Sequence, residues 1–295
     1  MERKRINVIY IMGAGRSGST ILSTALGSSN QMFNCADLMQ IYDYGCTNKK
    51  CNDGSTIFES DFWQRVLKIY DPENTIDYCA RAKENTKIER HASFIRNYFG
   101  FTKKNDLENY TIDQEKLFRS IASVSKKNYI VDSSKFVNRA LLLGKSKKIN
   151  LKIIYNVRDS RGVINSFGKT VQTKKNPISS ILYYCVINLM SELLFLTLPK
   201  AKKIRIRYED LVSKQQNSIE KISKFLEVDL GDVLGLIKSD SNIEVGPVIE
   251  GNRMVKDRKI VLAYDGEWLT KLGCYKRLTY YLLTLPFMIV NKYKI

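Results

Sequence analysis

Ile6-Asn7-Val8-Ile9-Tyr10-Ile11-Met12, running straight into Gly13-Ala14-Gly15-Arg16-Ser17-Gly18-Ser19-Thr20, is the stretch whose reading decides the fold. The first part is short, apolar and rich in β-branched side chains, which predicts a strand buried on both faces rather than a helix. The second part is glycine-rich and opens onto Ser19 to Leu26, a run of helical composition. A strand, a glycine loop and a helix in that order place backbone N–H groups and a helix N-terminus around one point, a cradle for phosphate oxygens. The spacing nearly fits the nucleotide-binding pattern G-x-x-x-x-G-K-[ST], but Ser19 stands where an NTPase has the lysine that reaches the outer phosphates. The cation here is Arg16, inside the loop.

Working outward, strands alternate with helices. Tyr129 to Asp132 predicts a second strand and Ser134 to Leu143 a helix. Leu151 to Val157 predicts a third strand, ending at Arg158, and Arg161 to Phe167 a helix after it. A long apolar helix starts near Pro177, Ile204 to Tyr208 supplies a fourth strand, and Ser218 to Phe225 another helix. That alternation implies a P-loop-type three-layer α/β fold, with a central parallel sheet and helices on both faces. Ligand is expected where the loops after the strands converge, at Gly13, Asp132 and Arg158. With 295 residues, the chain is expected to form one domain over 1–295. Residues 37–127 are read as a largely helical region on the acceptor side, with amphipathic runs at Phe62 to Ile69 and Gln114 to Val124.

Composition narrows the class of partner. Hydrophobic residues make up 44% and charged residues 26%, enough apolar material for a core. The formal net charge of +18 favours an anionic partner. Neither metal-type Cys/His pairs nor aromatic RNA-binding strings are present, so no nucleic-acid partner and no metal site are expected. Ile181 to Leu198 approaches the length of a bilayer span, but Asn188, Ser191 and Glu192 interrupt it, and it reads as a buried core helix. Tyr280 to Val290 is a shorter apolar run that either packs onto the fold or makes peripheral membrane contact. The start of the chain reads as a buried strand rather than a secretory segment. The six cysteines, Cys35, Cys46, Cys51, Cys79, Cys185 and Cys274, are therefore expected as free thiols in a cytoplasmic protein.

The loop Gly15-Arg16-Ser17-Gly18-Ser19-Thr20-Ile21-Leu22 resembles the 5′-phosphosulfate loop of sulfotransferases that use 3′-phosphoadenosine 5′-phosphosulfate (PAPS), in the branch with arginine in place of lysine. A second block, Val157-Arg158-Asp159-Ser160-Arg161-Gly162-Val163 and then Ser166, is similar to the strand and helix with which that family holds the donor's 3′-phosphate. Three shorter blocks follow the family's order: Val131-Asp132-Ser133-Ser134-Lys135, Arg207-Tyr208-Glu209-Asp210-Leu211 and Gly251-Asn252-Arg253-Met254. The resemblance covers about Asn7 to Trp268.

The resemblance implies sulfuryl transfer from PAPS to a hydroxyl acceptor without a metal. It assigns the donor's 5′ end to Gly15, Arg16, Ser17, Gly18, Ser19 and Thr20. It assigns the 3′-phosphate to Arg158 and Ser166, with Asn252 and Arg253 contributing from the late loop, where Val255 replaces a usual arginine. Arg16 and Lys135 would stabilise charge during transfer, and Asp37 is the expected general base, where relatives usually carry glutamate. His91, the one histidine, is the other group to weigh. The acceptor is open among carbohydrate, lipid, phenol and peptide hydroxyls, with a glycan favoured because the arginine-loop relatives often act on glycans. Two readings compete with this one: a P-loop kinase, and a non-catalytic protein that binds polyanions or membranes.

Overall fold

β1 spans Ile6–Met12 and sits at the centre of a sheet because nearly every residue in it is apolar on both faces. The computed structural model describes residues 5–169, 174–239, 248–249 and 262–295. Among them, β2 (Met32–Asn34), β3 (Tyr129–Lys135), β4 (Ile149–Val157) and β5 (Lys203–Arg207) join β1 in a five-stranded sheet of order β2-β3-β1-β4-β5. All of its pairings are parallel. The expected α/β architecture is therefore present, with β2 as a short edge strand that its three residues did not announce.

Alternation along β1 builds two cores. Val8, Tyr10 and Met12 face one cluster, which includes Phe118 of α6 (Lys104–Ser125), Val137 of α7 (Val137–Leu143) and Ile187 of α9 (Pro177–Thr197). Ile9 and Ile11 face the other, with Leu22 of α1 (Ser19–Gly27) and Ile219 and Ile222 of α11 (Gln215–Leu226). Each such buried aliphatic side chain contributes roughly 1.5–3 kcal/mol relative to exposure. Helices thus cover both faces, and the middle layer is the sheet.

The register brings the strand ends into line. Met12 lies opposite Lys135 of β3 and opposite Tyr155 of β4, so the loops leaving β1, β3 and β4 emerge side by side. β3 runs on through Ser133 and Ser134 to Lys135, whose φ of 70° ends the strand, and the helix expected from Ser134 starts only at Val137.

Residues 37–127 carry α2 (Ile41–Thr47), α3 (Asp61–Tyr70), α4 (Tyr78–Glu89), α5 (Phe94–Tyr98) and α6, as a largely helical region should. This region is tied to the sheet by a buried polar knot that sequence patterning did not reveal. Arg139 of α7 donates to Glu89 at the end of α4 and, at 3.0 Å, to Asp132 of β3. All three side chains are almost fully buried, so each charge depends on the others for compensation.

Two expectations are corrected. Cys46 and Cys79 form a disulfide, because α2 and α4 pack with these Cα atoms 4.7 Å apart, and only Cys35, Cys51, Cys185 and Cys274 are free. And α9 is not a buried core helix. Tyr184, Ile187, Asn188, Ser191 and Leu194 face the fold, while Ile178, Leu182, Val186, Leu189 and Leu196 face outward. The polar interruptions Asn188 and Ser191 lie on its inner side, which is why they stopped the run without marking a solvent face.

Candidate active site

The loop after β1 is shaped by backbone that few residues adopt. Gly13 has φ 141° and Gly18, capping α1, has φ 84°. A Cβ on Gly13 would lie 2.3 Å from the Asn156 carbonyl oxygen, and one on Gly18 would lie 2.4 Å from the Tyr208 ring. Both glycines are therefore required, the first by β4 and the second by α10 (Tyr208–Ser213). Asn156 fixes the loop from below by donating to the Ser17 carbonyl at 2.7 Å. The Ser17 hydroxyl is buried and has no hydrogen-bond partner among the described residues, and the Gly15 N–H donates to the Tyr183 hydroxyl of α9 at 3.0 Å. Arg16, at φ 69°, is half-buried beside the Phe167 ring, and its guanidinium makes no ion pair among the described residues.

Arg158 leaves the end of β4 next to this loop. Its Nη1 donates to the Arg16 carbonyl at 3.0 Å, its guanidinium lies 4.3 Å from the Tyr208 ring centre, and its Nε is buried without a partner among the described residues. Asp159 does not neutralise it. That carboxylate caps α8 (Ser160–Gly168) and pairs with Arg161 at 2.7 Å. Arg158 instead meets Asp265, at 3.0 Å to the carbonyl and 3.2 Å to the carboxylate, which also lies 3.3 Å from Lys169. Burial pushes the Asp265 carboxyl up, but Arg158 and then Lys169 outweigh it and hold it below the usual carboxylate range. Ser166 is half-buried, two turns into α8. Asn252 and Arg253 lie outside the described residues.

A cavity of about 160 Å³ adjoins the loop, lined by Gly13, Asp37, His91, Lys135, Phe136 and Tyr183 among others. Lys135 grips both oxygens of Asp37, at 2.9 and 2.8 Å. Burial raises the Asp37 carboxyl above its ordinary range, and the Lys135 charge opposes that rise. His91, which could not be located from sequence, stacks on Phe136 at 4.4 Å with its Nδ1 buried and without a partner among the described residues. Burial, with the charge of Lys175 added, lowers its pKa to about 4, so the imidazole is neutral near pH 7. The signal in the sequence was only its uniqueness. A second, more open hollow shares Met39 and Gln40 with the cavity and continues past Lys83, Asn85, Thr86 and Lys87. The Asn85 amide nitrogen is buried there with no partner among the described residues.

The arrangement thus brings Arg16, Arg158, Lys135, Asp37 and His91 to the ends of adjacent parallel strands, where an open α/β sheet binds ligand. Its donors without a partner among the described residues include the Ser17 hydroxyl, the Arg158 Nε and the Asn85 amide, and its carboxylate is buried beside a lysine.

Comparison with known proteins gives the same direction. A family model described as "Sulfotransferase family" matches residues 8–232. Among solved structures, the sulfotransferase domain from the curacin biosynthetic pathway is similar over 99% of both chains, at 17% identity and a TM-score of 0.57. The sulfotransferase domain from the Synechococcus PCC 7002 olefin synthase is similar over 100% of this chain and 98% of that one, at 18% identity and a TM-score of 0.55. At such identities these two establish the fold alone. No curated protein is matched.

Proposed function

Because this chain belongs to the sulfotransferase family, we propose that it carries a sulfuryl group from PAPS to a hydroxyl of a carbohydrate acceptor. The observation that carries the donor assignment is the 3.0 Å bond from Arg158 to the Arg16 carbonyl, which joins two anion-binding groups at neighbouring strand tips. One nucleotide carrying phosphate at both its 5′ and 3′ positions suits that pair. The residues fit such a ligand: the Ser17 hydroxyl and Arg158 Nε are buried donors in want of an acceptor, and the cradle excludes a Cβ at Gly13 and Gly18.

In this reading Arg16 and the N–H groups of Gly15 to Thr20 hold the 5′-phosphosulfate, and Arg158 with Ser166 holds the 3′-phosphate. The acceptor oxygen attacks sulfur as the bond from sulfur to the bridging oxygen breaks, and the electron pair left on that oxygen is stabilised by Arg16. Asp37 takes the hydroxyl proton. Lys135 has two roles that compete, since the ammonium that holds Asp37 would also stabilise charge on the transferring oxygens. Rotation of Lys135 toward the sulfuryl group frees Asp37 and further raises its pKa, as its task requires.

A second reading of the base rests on His91, whose neutral imidazole lines the same cavity. Asp37 and His91 are distinguished by which substitution removes turnover.

The carbohydrate assignment is supported by the hollow that continues from the cavity, where Gln40 and Thr86 present amide and hydroxyl groups suited to a polyhydroxylated chain, with Lys83 and Lys87 at its rim. The kinase reading falls with the family assignment, as does the non-catalytic one. Incubation with labelled PAPS and panels of glycan, phenol, lipid and peptide acceptors, followed by mass spectrometry, tests the proposal. A sulfated glycan is expected, and sulfation confined to another class overturns the acceptor assignment.

A further inference from the structure

The outer face of α9 has no covering among the described residues. Ile178, Leu182, Val186, Leu189 and Leu196 recur at helical spacing, and each is between 46% and 74% exposed. The helix is about 30 Å long at 1.5 Å per residue. Its only charged residue, Glu192, is paired with Arg205. Length and composition would let α9 cross a bilayer, but its inner face is committed to the fold. Tyr183 accepts from the loop at Gly15, Tyr184 donates to the Arg158 carbonyl, and Asn188 accepts from Tyr155. It can lie along a surface and cannot leave the sheet to span one.

The apolar face continues onto the helices Cys274–Leu283 and Leu285–Val290. They are joined to α9 through the contact of Cys185 with the Leu283 carbonyl at 3.8 Å and the Tyr184–Phe287 ring pair at 6.2 Å. Leu282, Leu283, Ile289 and Val290 are each more than half exposed. Soluble surfaces rarely leave so continuous an apolar area open without a partner.

Charge selects that partner. Residues 274–295 contain Lys276, Arg277, Lys292 and Lys294 and no acidic residue. Lys174 precedes α9, and Lys200 and Lys202 follow it, all exposed. A second copy of the chain would bring one such set of cations against another, on top of a net charge of +18 on each. An anionic lipid surface accepts both features at once, apolar side chains at the acyl boundary and lysines among the headgroups. We infer that α9 and the two helices after Gly273 form a docking face that lies in the plane of an anionic membrane.

The test is co-sedimentation of the full chain, without donor or acceptor, with vesicles of phosphatidylcholine alone or doped with phosphatidylglycerol. Binding is expected to the anionic vesicles at least ~10-fold more tightly than to the neutral ones, weakening as salt rises. The triple substitution Leu182→Ser, Val186→Ser and Leu189→Ser, confined to exposed positions, is expected to reduce it ~10-fold or more while the thermal transition and donor affinity stay unchanged. The inference is overturned if the natural chain ignores both vesicle types or if the triple variant binds as well. It is also overturned if the chain sediments as a dimer that the triple variant splits, which would make this face an interface between copies. Since no sulfuryl transfer is measured, these outcomes are independent of the proposed activity.

Discussion

Arg158 and Asp265 form a salt bridge of 3.2 Å at the position where the site's second anion-binding group is expected to meet its ligand, with Lys169 3.3 Å from the same carboxylate oxygen. The protein's own carboxylate therefore occupies the cations that a phosphate would use. A dianion entering there must displace it.

It follows that Asp265→Asn should tighten binding of adenosine 3′,5′-bisphosphate, because the amide competes for Arg158 without a charge. A gain of several-fold in titration calorimetry is expected, on the order of the 0.5–1.5 kcal/mol of one exchanged hydrogen bond. Unchanged or weaker affinity means that Asp265 does not compete with the ligand.

Arg158→Ala should weaken the same ligand by about 1.5–3 kcal/mol, the worth of hydrogen bonds to a charged group. Arg158→Lys should recover only part of the loss, since an ammonium lacks the planar fork. Equal affinity in all three proteins would falsify the assignment of Arg158 to the donor.

Replacing the proposed base should separate chemistry from binding. Asp37→Asn is expected to lower turnover by ~10²- to 10⁴-fold with donor affinity retained. If that variant stays active and His91→Phe does not, the proton goes to the imidazole.

His91 also gives a stability signature. Its folded pKa of about 4 lies below its unfolded value of about 6.5. The unfolded chain therefore takes up a proton first, and the stability contributed by neutral His91 is present above pH 6.5 and is lost as pH falls toward 4. His91→Phe, which keeps a ring on Phe136, should flatten that part of the profile in denaturant melts recorded across the range.

Cys46→Ser should destabilise the helical region without altering donor affinity. The bridge closes a separation of 33 residues, worth about 3–4 kcal/mol in the chain-entropy account. An equal loss in the natural protein on adding reductant, and none in the variant, is the expected control.

How much of this was legible in the chain depends on the range of the interaction. β1 is found at the expected Ile6–Met12, α1 starts at the expected Ser19, and β4 ends just before Arg158. In each case a local apolar run meets a glycine or a charged residue, and backbone sterics decide the outcome within a few positions. Parallel alternation of strands and helices likewise implied a sheet with ligand at its strand ends, because short connections leave few other ways to bury such strands.

What only the tertiary structure decided involves residues far apart in sequence. The pairing of Arg158 with Asp265, the knot of Arg139 with Glu89 and Asp132, the arrival of His91 beside Asp37, and the Cys46–Cys79 bridge all depend on which helices pack together. The open face of α9 belongs with them, since its composition reads alike for a helix wrapped by protein and for one covered on one side. Hydrophobic periodicity states that a face must be buried. What buries it is set by contacts that the local chain does not encode.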